Sequence, residues 1–161
     1  MELGGTYLSD SLNASTTTTS SQNFYNVGVL FNWNKKVWAG WSYLGVNSSE
    51  VATETKTFAT QDTGPMLKWQ FGRDELYSLT GVFNILSQAT YSNAGSSEKW
   101  TGTSMWVSFG VMPELSDGFH IGVALNYYAA SYTKKSVSGT ETTESNSKTW
   151  IFPTFLATKS W

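Results

Sequence analysis

The stretch from Phe24 to Val46 most constrains the fold, because two runs of alternating residues meet there at the polar tripeptide Asn34-Lys35-Lys36. Apolar side chains occupy every second position of both runs, at Tyr25, Val27, Val29, Phe31 and Trp33 and then at Val37, Ala39, Trp41 and Tyr43. A period of two is the signature of a β-strand, in which successive side chains point to opposite faces. The short polar link therefore predicts an antiparallel β-hairpin.

The polar face of this hairpin is built almost entirely from Asn, Gly and Ser. A water-soluble surface is normally about 25–35% charged, whereas this whole chain is 14% charged and 16% aromatic, with eight Trp. A membrane β-barrel turns its apolar side chains to lipid and its small polar side chains to the lumen. The hairpin therefore predicts a membrane barrel, and the alternative is a soluble barrel of the lipocalin or avidin type.

Alternating segments recur along the chain and predict eight strands. They span residues 2–12, 24–34, 37–46, 64–71, 76–91, 100–112, 119–132 and 148–161. Three connections are short, at 34–36, 72–75 and 113–118, and four are long polar loops, at 13–22, 47–62, 92–99 and 133–147. Strict alternation of short and long connections is typical of bacterial outer-membrane barrels, whose short turns face the periplasm.

We therefore predict one all-β domain over residues 1–161, an eight-stranded antiparallel up-and-down transmembrane β-barrel with short periplasmic turns and long extracellular loops. An even number of strands leaves both termini in the periplasm, so the predicted location is the bacterial outer membrane. The sequence has no run of eighteen apolar residues, and only a closed barrel would carry it across a bilayer. The absence of Cys excludes disulfides and thiol chemistry.

Aromatic residues sort to the two ends of the predicted strands. Beside the short turns and the C-terminus they form a predicted periplasmic girdle of Trp33, Trp69, Phe71, Tyr77, Phe119 and Trp161. Toward the long loops they form a predicted extracellular girdle of Tyr25, Tyr43, Tyr91, Trp100, Tyr127 and Trp150. Trp and Tyr collect at membrane interfaces, where one end of the ring is apolar and the other is wet. A soluble core would not sort its aromatics in this way.

Alternation also assigns the two faces of the strands. The predicted lipid-facing residues are Val29, Phe31, Trp41, Leu79, Phe83, Val107, Val123 and Leu125. The predicted apolar lumen residues are Leu30, Met66, Val82, Leu86, Trp106 and Tyr128. An eight-stranded barrel is only wide enough for side chains to fill, so this bulk favours a blocked lumen.

A polar cluster is predicted at the periplasmic end of the lumen, formed by Glu2, Lys68, Gln70 and His120. An interior ammonium without a partner would cost several kcal/mol. We therefore expect Lys68 to be paired, and Glu2 is the carboxylate that alternation directs inward at this end.

The last strand carries a conflict of phase. Trp150 and Phe152 lie out of phase with Phe155 and Trp161 if all four face lipid. A β-bulge would restore the phase, and Pro153 cannot donate to the ladder. We therefore predict a bulge near Pro153.

The C-terminus ends in Trp161, with Phe155 and Ala157 at alternate positions before it. With the eight predicted strands, this pattern resembles the small eight-stranded outer-membrane barrels of the OmpX, OmpA and OmpW types, whose members usually end in an aromatic residue that the assembly machinery reads. Lys159 and a terminal Trp in place of the usual Phe depart from the pattern. The resemblance covers the whole chain through its architecture, and it implies outer-membrane lipids and lipopolysaccharide as surroundings.

Catalytic chemistry has little support in the sequence. His120 is the only histidine, which excludes a His-based metal cluster. Some outer-membrane barrels modify lipid A, and those of the deacylase type carry a His-x-Ser arrangement on one strand. The stretch of this chain that resembles it is His120-Ile121-Gly122, which lacks the serine nucleophile. We therefore predict no enzyme, and no catalytic, cofactor-binding or metal-binding residue.

The predicted loops 47–62 and 133–147 carry the functional expectation, because Val51–Phe58 and Val137–Thr143 within them favour β-structure. Hairpins continued above the membrane would offer an edge to a partner strand. We predict a monomeric, adhesin-like surface-interaction protein, and the net charge of −2 gives no footprint for nucleic acid. The alternatives are flexible loops without a partner and a narrow pore or hydrophobic conduit of the OmpW type.

Overall fold

The structure, a computed structural model, describes residues 2–13, 17–34, 36–51, 55–93 and 96–159, with side chains described from residue 21 onward. These ranges form eight long strands, one short strand (β7) and a 3₁₀ turn at Arg73–Glu75. The strands are β1 (Glu2–Asn13), β2 (Thr17–Asn34), β3 (Val37–Val51), β4 (Thr55–Phe71), β5 (Tyr77–Asn93), β6 (Ser96–Val111), β7 (Glu114–Ser116), β8 (Phe119–Val137) and β9 (Thr140–Lys159). No helix in the described ranges is long and apolar enough to cross a membrane. The prediction of an all-β protein with eight antiparallel strands is confirmed.

All strands belong to one antiparallel sheet. Their order is β6-β5-β4-β3-β2-β1-β9-β8-β7, and β6 also pairs with β8. In the described part of the chain, each of the eight long strands therefore pairs with two other long strands, and β8 also pairs with β7. This arrangement is compatible with a β-barrel.

Burial alternates along the strands and defines two faces. In β6, Ser104, Trp106 and Ser108 are buried while Met105 and Val107 are exposed. The buried side chains form the inner face, where strands far apart in the sheet order come into contact, and the exposed ones form the outer face. This is the period-two pattern of a sheet with one enclosed face.

The prediction of four long loops is wrong. Strands continue through most of residues 13–22, 47–62, 92–99 and 133–147. Thr, Ser and Val alternate in these segments, and β-branched residues pack well on a pleated surface. Pairing with the adjacent strand also satisfies the backbone polar groups. The strands β2 to β6 and β8 and β9 are consequently 15 to 20 residues long.

A bulge in β5 reverses the phase of alternation. The β5–β6 pairing shifts register between Asn84 and Ser87, and the consecutive residues Ile85 and Leu86 are both exposed. An extra residue in one strand has this effect, since it occupies one position without advancing the ladder. The prediction that Leu86 lines the lumen is therefore wrong.

No bulge lies near Pro153 in the described ladder between β8 and β9, which runs regularly through the pair Leu125 and Pro153. Phe152 is buried on the inner face and Phe155 is exposed on the outer face, so the strand keeps a single phase. The proline is tolerated for another reason. Pairing between β1 and β9 ends at Phe155, so Pro153 lies on an edge where no donor is required.

Candidate functional site

The outer face carries a continuous apolar band that begins at the short turns. On each described long strand from β2 onward the band ends, on the side away from the short turns, at one residue: Tyr25 on β2, Tyr43 on β3, Pro65 on β4, Leu86 on β5, Met105 on β6, Ala129 on β8 and Ile151 on β9. Beyond them the outer face consists mainly of Thr, Ser, Asn and Gln. We call the part of the sheet that carries this apolar band the lower half, and the part beyond it the upper half.

All eight residues predicted to face lipid lie in the apolar band. Their exposed fractions run from 37% to 74%, for Val29, Phe31, Trp41, Leu79, Phe83, Val107, Val123 and Leu125. On the described outer face, Lys159 lies at the lower edge of the band opposite Phe119, and no charged side chain lies within the band above it. A surface of this kind is unfavourable in water and suited to hydrocarbon, although contact with lipid itself stays a prediction.

Aromatic side chains line the lower edge of the band. The rings of Trp69 and Phe71 stack with centroids 4.6 Å apart, those of Phe71 and Tyr77 are 5.7 Å apart, and Tyr77 reaches Phe109 at 6.2 Å. Trp33 is 80% exposed and Phe119 is half-buried. Trp161 lies outside the described residues. The predicted periplasmic aromatics in β4 and β5 thus form part of one stacked row across β4, β5 and β6.

The six residues predicted to form an extracellular girdle do not all lie on one face of the sheet. Tyr25, Tyr43 and Tyr127 are exposed on the outer face at the upper edge of the band.

Tyr91, Trp100 and Trp150 are turned to the inner face instead, so their assignment to the girdle is wrong. For Tyr91 the cause is the β5 bulge, which reverses its phase relative to Phe83. Trp100 lies an odd number of residues from the exposed Met105, and an odd separation places two residues on opposite faces. Trp150 is adjacent in sequence to the exposed Ile151, so it lies on the inner face for the same reason.

Seven of the aromatic side chains on the middle and upper part of the inner face make ring–ring contacts there, and we call these seven the aromatic plug. They are Phe24, Phe58, Trp106, Tyr128, Tyr132, Trp150 and Phe152. The ring centroid of Phe24 on β2 lies 4.7 Å from that of Phe152 on β9 and 5.5 Å from that of Trp106 on β6. Trp106 is fully buried, and its Nε1 donates to Asn126 Oδ1 at 2.9 Å. The aromatic plug therefore spans the inner face from one group of strands to the other.

Four predicted apolar lumen residues are buried in the core around the aromatic plug or within it, namely Met66, Val82, Trp106 and Tyr128. Leu30 is partly buried against the same core. Offset and tilted aromatic contacts of this kind add stability beyond the burial of apolar area.

Lys68 lies at the lower end of the inner face and is 1% exposed. Its Nζ donates to Thr158 Oγ1 at 3.1 Å and lies 3.8 Å from Met112 Sδ, and it makes at least one further interaction. Gln70 and His120 are buried on the same face at this end. The side chain of Glu2 lies outside the described residues, so a carboxylate partner for Lys68 stays a prediction.

Sequence reasoning did not find Thr158 and Met112 as partners of Lys68. Alternation places both of them on the inner face, but it does not show which strand lies opposite β4. Thr158 on β9 is four strands away from β4 in the sheet order. Only the sheet topology brings the two residues together.

A second polar network, centred on Asp62, ties together four strands near the top of the apolar band. Asp62 is fully buried, and its Oδ2 accepts hydrogen bonds from Tyr128 Oη at 2.5 Å and from Ser104 Oγ at 2.8 Å. Asn84 Nδ2 donates in turn to Ser104 Oγ at 2.8 Å. Buried carboxyl groups require such donors, so this network holds β4, β5, β6 and β8 in one register.

The sequence reading placed Asp62 at the end of a loop and so missed this network. A signal was present, because Phe58, Thr60 and Asp62 alternate with residues of the opposite face. The Thr-rich composition hid that alternation. The structure shows these three side chains buried along the inner face of β4.

The boundary between β1 and β9, which we call the seam, is the least paired boundary between long strands in the described part of the sheet. Pairing runs only from Glu2 with Thr158 to Gly5 with Phe155. Above that point β1 pairs with β2 and β9 pairs with β8, and neither pairs with the other. The residues Thr140–Thr154 of β9 therefore present an unpaired edge among the described residues.

The β8–β9 hairpin is the longest in the described chain and extends above the apolar band. Residues 138–149 are exposed on both faces, and the turn at Ser138 and Gly139 has positive φ at both positions. At its base Lys135 Nζ lies 3.1 Å from Glu98 Oε1 and 3.5 Å from Glu144 Oε2. The hydrogen bond to Glu98 raises the pKa of Lys135 above the usual lysine value, so the side chain stays charged and links the hairpin to β6.

In the described residues, no group of three or more His, Cys, Asp or Glu side chains is arranged to hold a metal ion. The chain matches no protein-family model, no curated protein and no solved structure. The features available for a functional conclusion are therefore the apolar band, the aromatic plug, the seam and the exposed β8–β9 hairpin.

Proposed function

We propose that this protein is a bacterial outer-membrane β-barrel of eight strands, closed through the β1–β9 seam, that binds a partner at the cell surface through its upper half. In this proposal the lower half spans the membrane, with both termini and the short turns in the periplasm. The upper half stands outside the cell.

The apolar band supports the membrane part of the proposal. A spanning strand needs about 9–11 residues, and the apolar stretches of the outer face run from seven residues on β3, β4 and β6 to ten on β5. The described strands from β2 onward, apart from β7, are considerably longer. At about 3.3 Å per residue, ten further residues of β9 would reach about 30 Å along the strand beyond the membrane.

The aromatic plug opposes the alternative of a narrow pore or hydrophobic conduit. Trp106 and Tyr128 are fully buried and pack with Phe24 and Phe152 across the inner face. An eight-stranded barrel filled by such rings has no continuous path for ions or ligands. We therefore expect no sustained conductance when the protein is placed in planar bilayers.

The unpaired edge of β9 is the observation that carries the surface-interaction function. A free edge exposes a row of backbone donors and acceptors, which is a template for another strand. Soluble and surface proteins bind extended peptides in this way by β-augmentation. The proposed partner is accordingly an extended polypeptide segment that adds to β9 above the seam.

The location of the two halves is tested by treating intact cells that express the protein with trypsin. We expect cleavage after Lys134, Lys135 or Lys148 in the exposed hairpin, and protection of Lys36 and Arg73 at the short turns. Cells opened before the treatment provide the control, because both ends are then accessible. Cleavage at Lys36 and protection of the hairpin in intact cells would contradict the proposed orientation.

Binding at the edge is tested with a labelled peptide that copies residues 6–13, since this sequence would continue the β1 register along β9. Fluorescence anisotropy is measured with the folded protein in detergent. Two versions of the peptide carry N-methyl groups on alternate residues, in the two possible frames. We expect the unmodified peptide and one methylated version to bind, because only one frame removes the donors that face β9. Equal behaviour of all three peptides, bound or unbound, would contradict β-augmentation.

A further inference from the structure

The outer face of β3 to β6 carries an apolar groove of about 470 Å³ within the apolar band. We call it the acyl groove, and its outward lining residues are Ala39, Pro65, Leu67, Gly81, Phe83 and Val107. Small side chains form its floor, while Leu67 and Phe83 stand exposed beside it.

Gly81 in the acyl groove is not required by a close approach of a neighbouring strand, unlike Gly40 and Gly64. A Cβ on Gly40 would lie 1.9 Å from the carbonyl oxygen of Val29, and one on Gly64 would lie 2.1 Å from that of Phe83. Those glycines are required by the close approach of a neighbouring strand. A Cβ on Gly81 would meet nothing within 4 Å. Glycine weakens a strand and often marks a place where another molecule approaches closely.

A second cavity, of about 340 Å³, lies above the acyl groove on β4, β5 and β6. We call it the polar cleft, and its outward lining residues are Gln61, Gln88, Thr90, Lys99 and Thr101. Gln61 and Pro65 are four residues apart on β4, which is about 13 Å along a strand. The polar cleft thus lies just beyond the upper edge of the apolar band.

Lys99 gives the polar cleft its charge. Among the described residues of β4, β5 and β6, it is the charged side chain on the outer face above the band, and on the adjoining strand β8 a second cation, Lys134, pairs with Thr101 and lies on the same face. The adjacent Glu98 points to the inner face, where it pairs with Lys135. The amide and hydroxyl groups of the cleft add further hydrogen-bond donors. A cation with neutral donors at this level suits an anionic oxygen-rich group.

We propose that β3 to β6 bind one membrane lipid, with an acyl chain in the acyl groove and a phosphate-bearing headgroup in the polar cleft at Lys99. The proposal rests on the membrane location given under the proposed function. The bound lipid is anionic, because the acyl groove is apolar where the chain lies and the polar cleft is cationic where the headgroup lies.

The test uses nanodiscs that contain equal amounts of phosphatidylglycerol and phosphatidylcholine with the same acyl chains. Lipids that stay bound after release of the protein are counted by native mass spectrometry. One lysine at a membrane surface favours an anionic lipid about fivefold. We expect one retained lipid per protein, with a preference of about this size for phosphatidylglycerol.

Two variants separate the parts of the site. Lys99→Gln should weaken the preference for phosphatidylglycerol, and abolish it when combined with Lys134→Gln, while Gly81→Leu should reduce retention of both lipids because it fills the acyl groove. The matched controls are Lys36→Gln at the opposite end and Ala157→Leu on the outer face of β9, and neither should change lipid binding. Lys99→Gln alters an exposed side chain, so its result stands even if Gly81→Leu fails to fold.

Several outcomes would overturn the proposal. If retention and preference are unchanged in Lys99→Gln and Gly81→Leu, the lipid site is wrong while the membrane location stands. A dimer that Gly81→Leu abolishes would show that a second copy of the chain fills the acyl groove instead. If the wild-type protein does not enter nanodiscs and shows no heat-dependent gel shift in detergent, both the lipid site and the proposed function are wrong.

Discussion

The lower and upper halves of the sheet share their strands and pairing but differ in what their surfaces expose. In the lower half the outer face is apolar and the inner face is packed with buried polar groups around Lys68. In the upper half the outer face is polar, and the β8–β9 hairpin is exposed on both faces. Because strand geometry is the same in both, the side chains alone define the environment of each half. The comparison teaches that one hairpin can combine a part with an apolar outer face and a part with a polar outer face.

The largest expected effect concerns backbone packing in the lower half. Gly40→Val should prevent refolding, because even the Cβ would collide with the carbonyl oxygen of Val29 on the neighbouring strand. In the upper half Thr149→Val should refold normally, since Thr149 is exposed and β-branched residues suit strands. The heat-dependent gel shift measures the folded fraction. Normal refolding of Gly40→Val would show that the strands are less closely packed than the structure indicates.

The next effect tests the outer faces of the two halves on the same strand. Leu125→Arg lies in the apolar band, and we expect a loss of about 2–4 kcal/mol in the free energy of unfolding from lipid vesicles. Thr133→Arg in the upper half should change it by at most about 0.5 kcal/mol. Urea titration followed by tryptophan fluorescence gives both values. Equal losses at the two positions would remove the distinction between the halves.

A smaller effect is expected at the junction of the two halves. Asp62→Ala removes the acceptor for Tyr128 and Ser104, and a buried hydroxyl left without a partner costs about 1–3 kcal/mol. Gln61→Ala is the control, because Gln61 is exposed on the outer face of the same strand. The same urea titration compares them. A loss no larger than that of Gln61→Ala would show that the network does not hold the strands.

The smallest effect is expected in the exposed part of the upper half. Lys135→Gln breaks contacts with Glu98 and Glu144, whose side chains are partly exposed as that of Lys135 is, and ion pairs that water and salt can reach contribute little. We expect no measurable change in stability at physiological salt. A clear loss that persists in 1 M salt would mean that the hairpin base is more tightly packed than its exposure suggests.

The sequence was sufficient to predict the eight antiparallel strands and the outer-face positions of residues such as Val29 and Leu125. Period-two alternation survives wherever one face is buried, so local pattern carries this information. The strand extensions were missed because Thr- and Ser-rich segments have the composition of loops. Only pairing with a neighbouring strand identifies them as β-structure.

Other features depend on which strands are neighbours, and a local pattern does not contain that information. The bulge at Ile85 and Leu86 reversed the phase of Tyr91 without any Gly or Pro to mark it. Pro153 is tolerated because β9 loses its β1 partner two residues away, which is a property of the sheet topology. The partner of Lys68 on β9 was unpredictable for the same reason.

The most direct test of the central claim, that the lower half lies in lipid, is a single-cysteine scan of β8 in a chain that otherwise has no Cys. A fluorescent label is attached before refolding at Val123→Cys, Ala124→Cys, Leu125→Cys or Thr133→Cys, and quenching by brominated lipid is measured. We expect strong quenching at 123 and 125 and weak quenching at 124 and 133, because only outer-face positions of the lower half contact acyl chains. Equal quenching at 123, 124 and 125, or none at any position in refolded protein, would contradict the account.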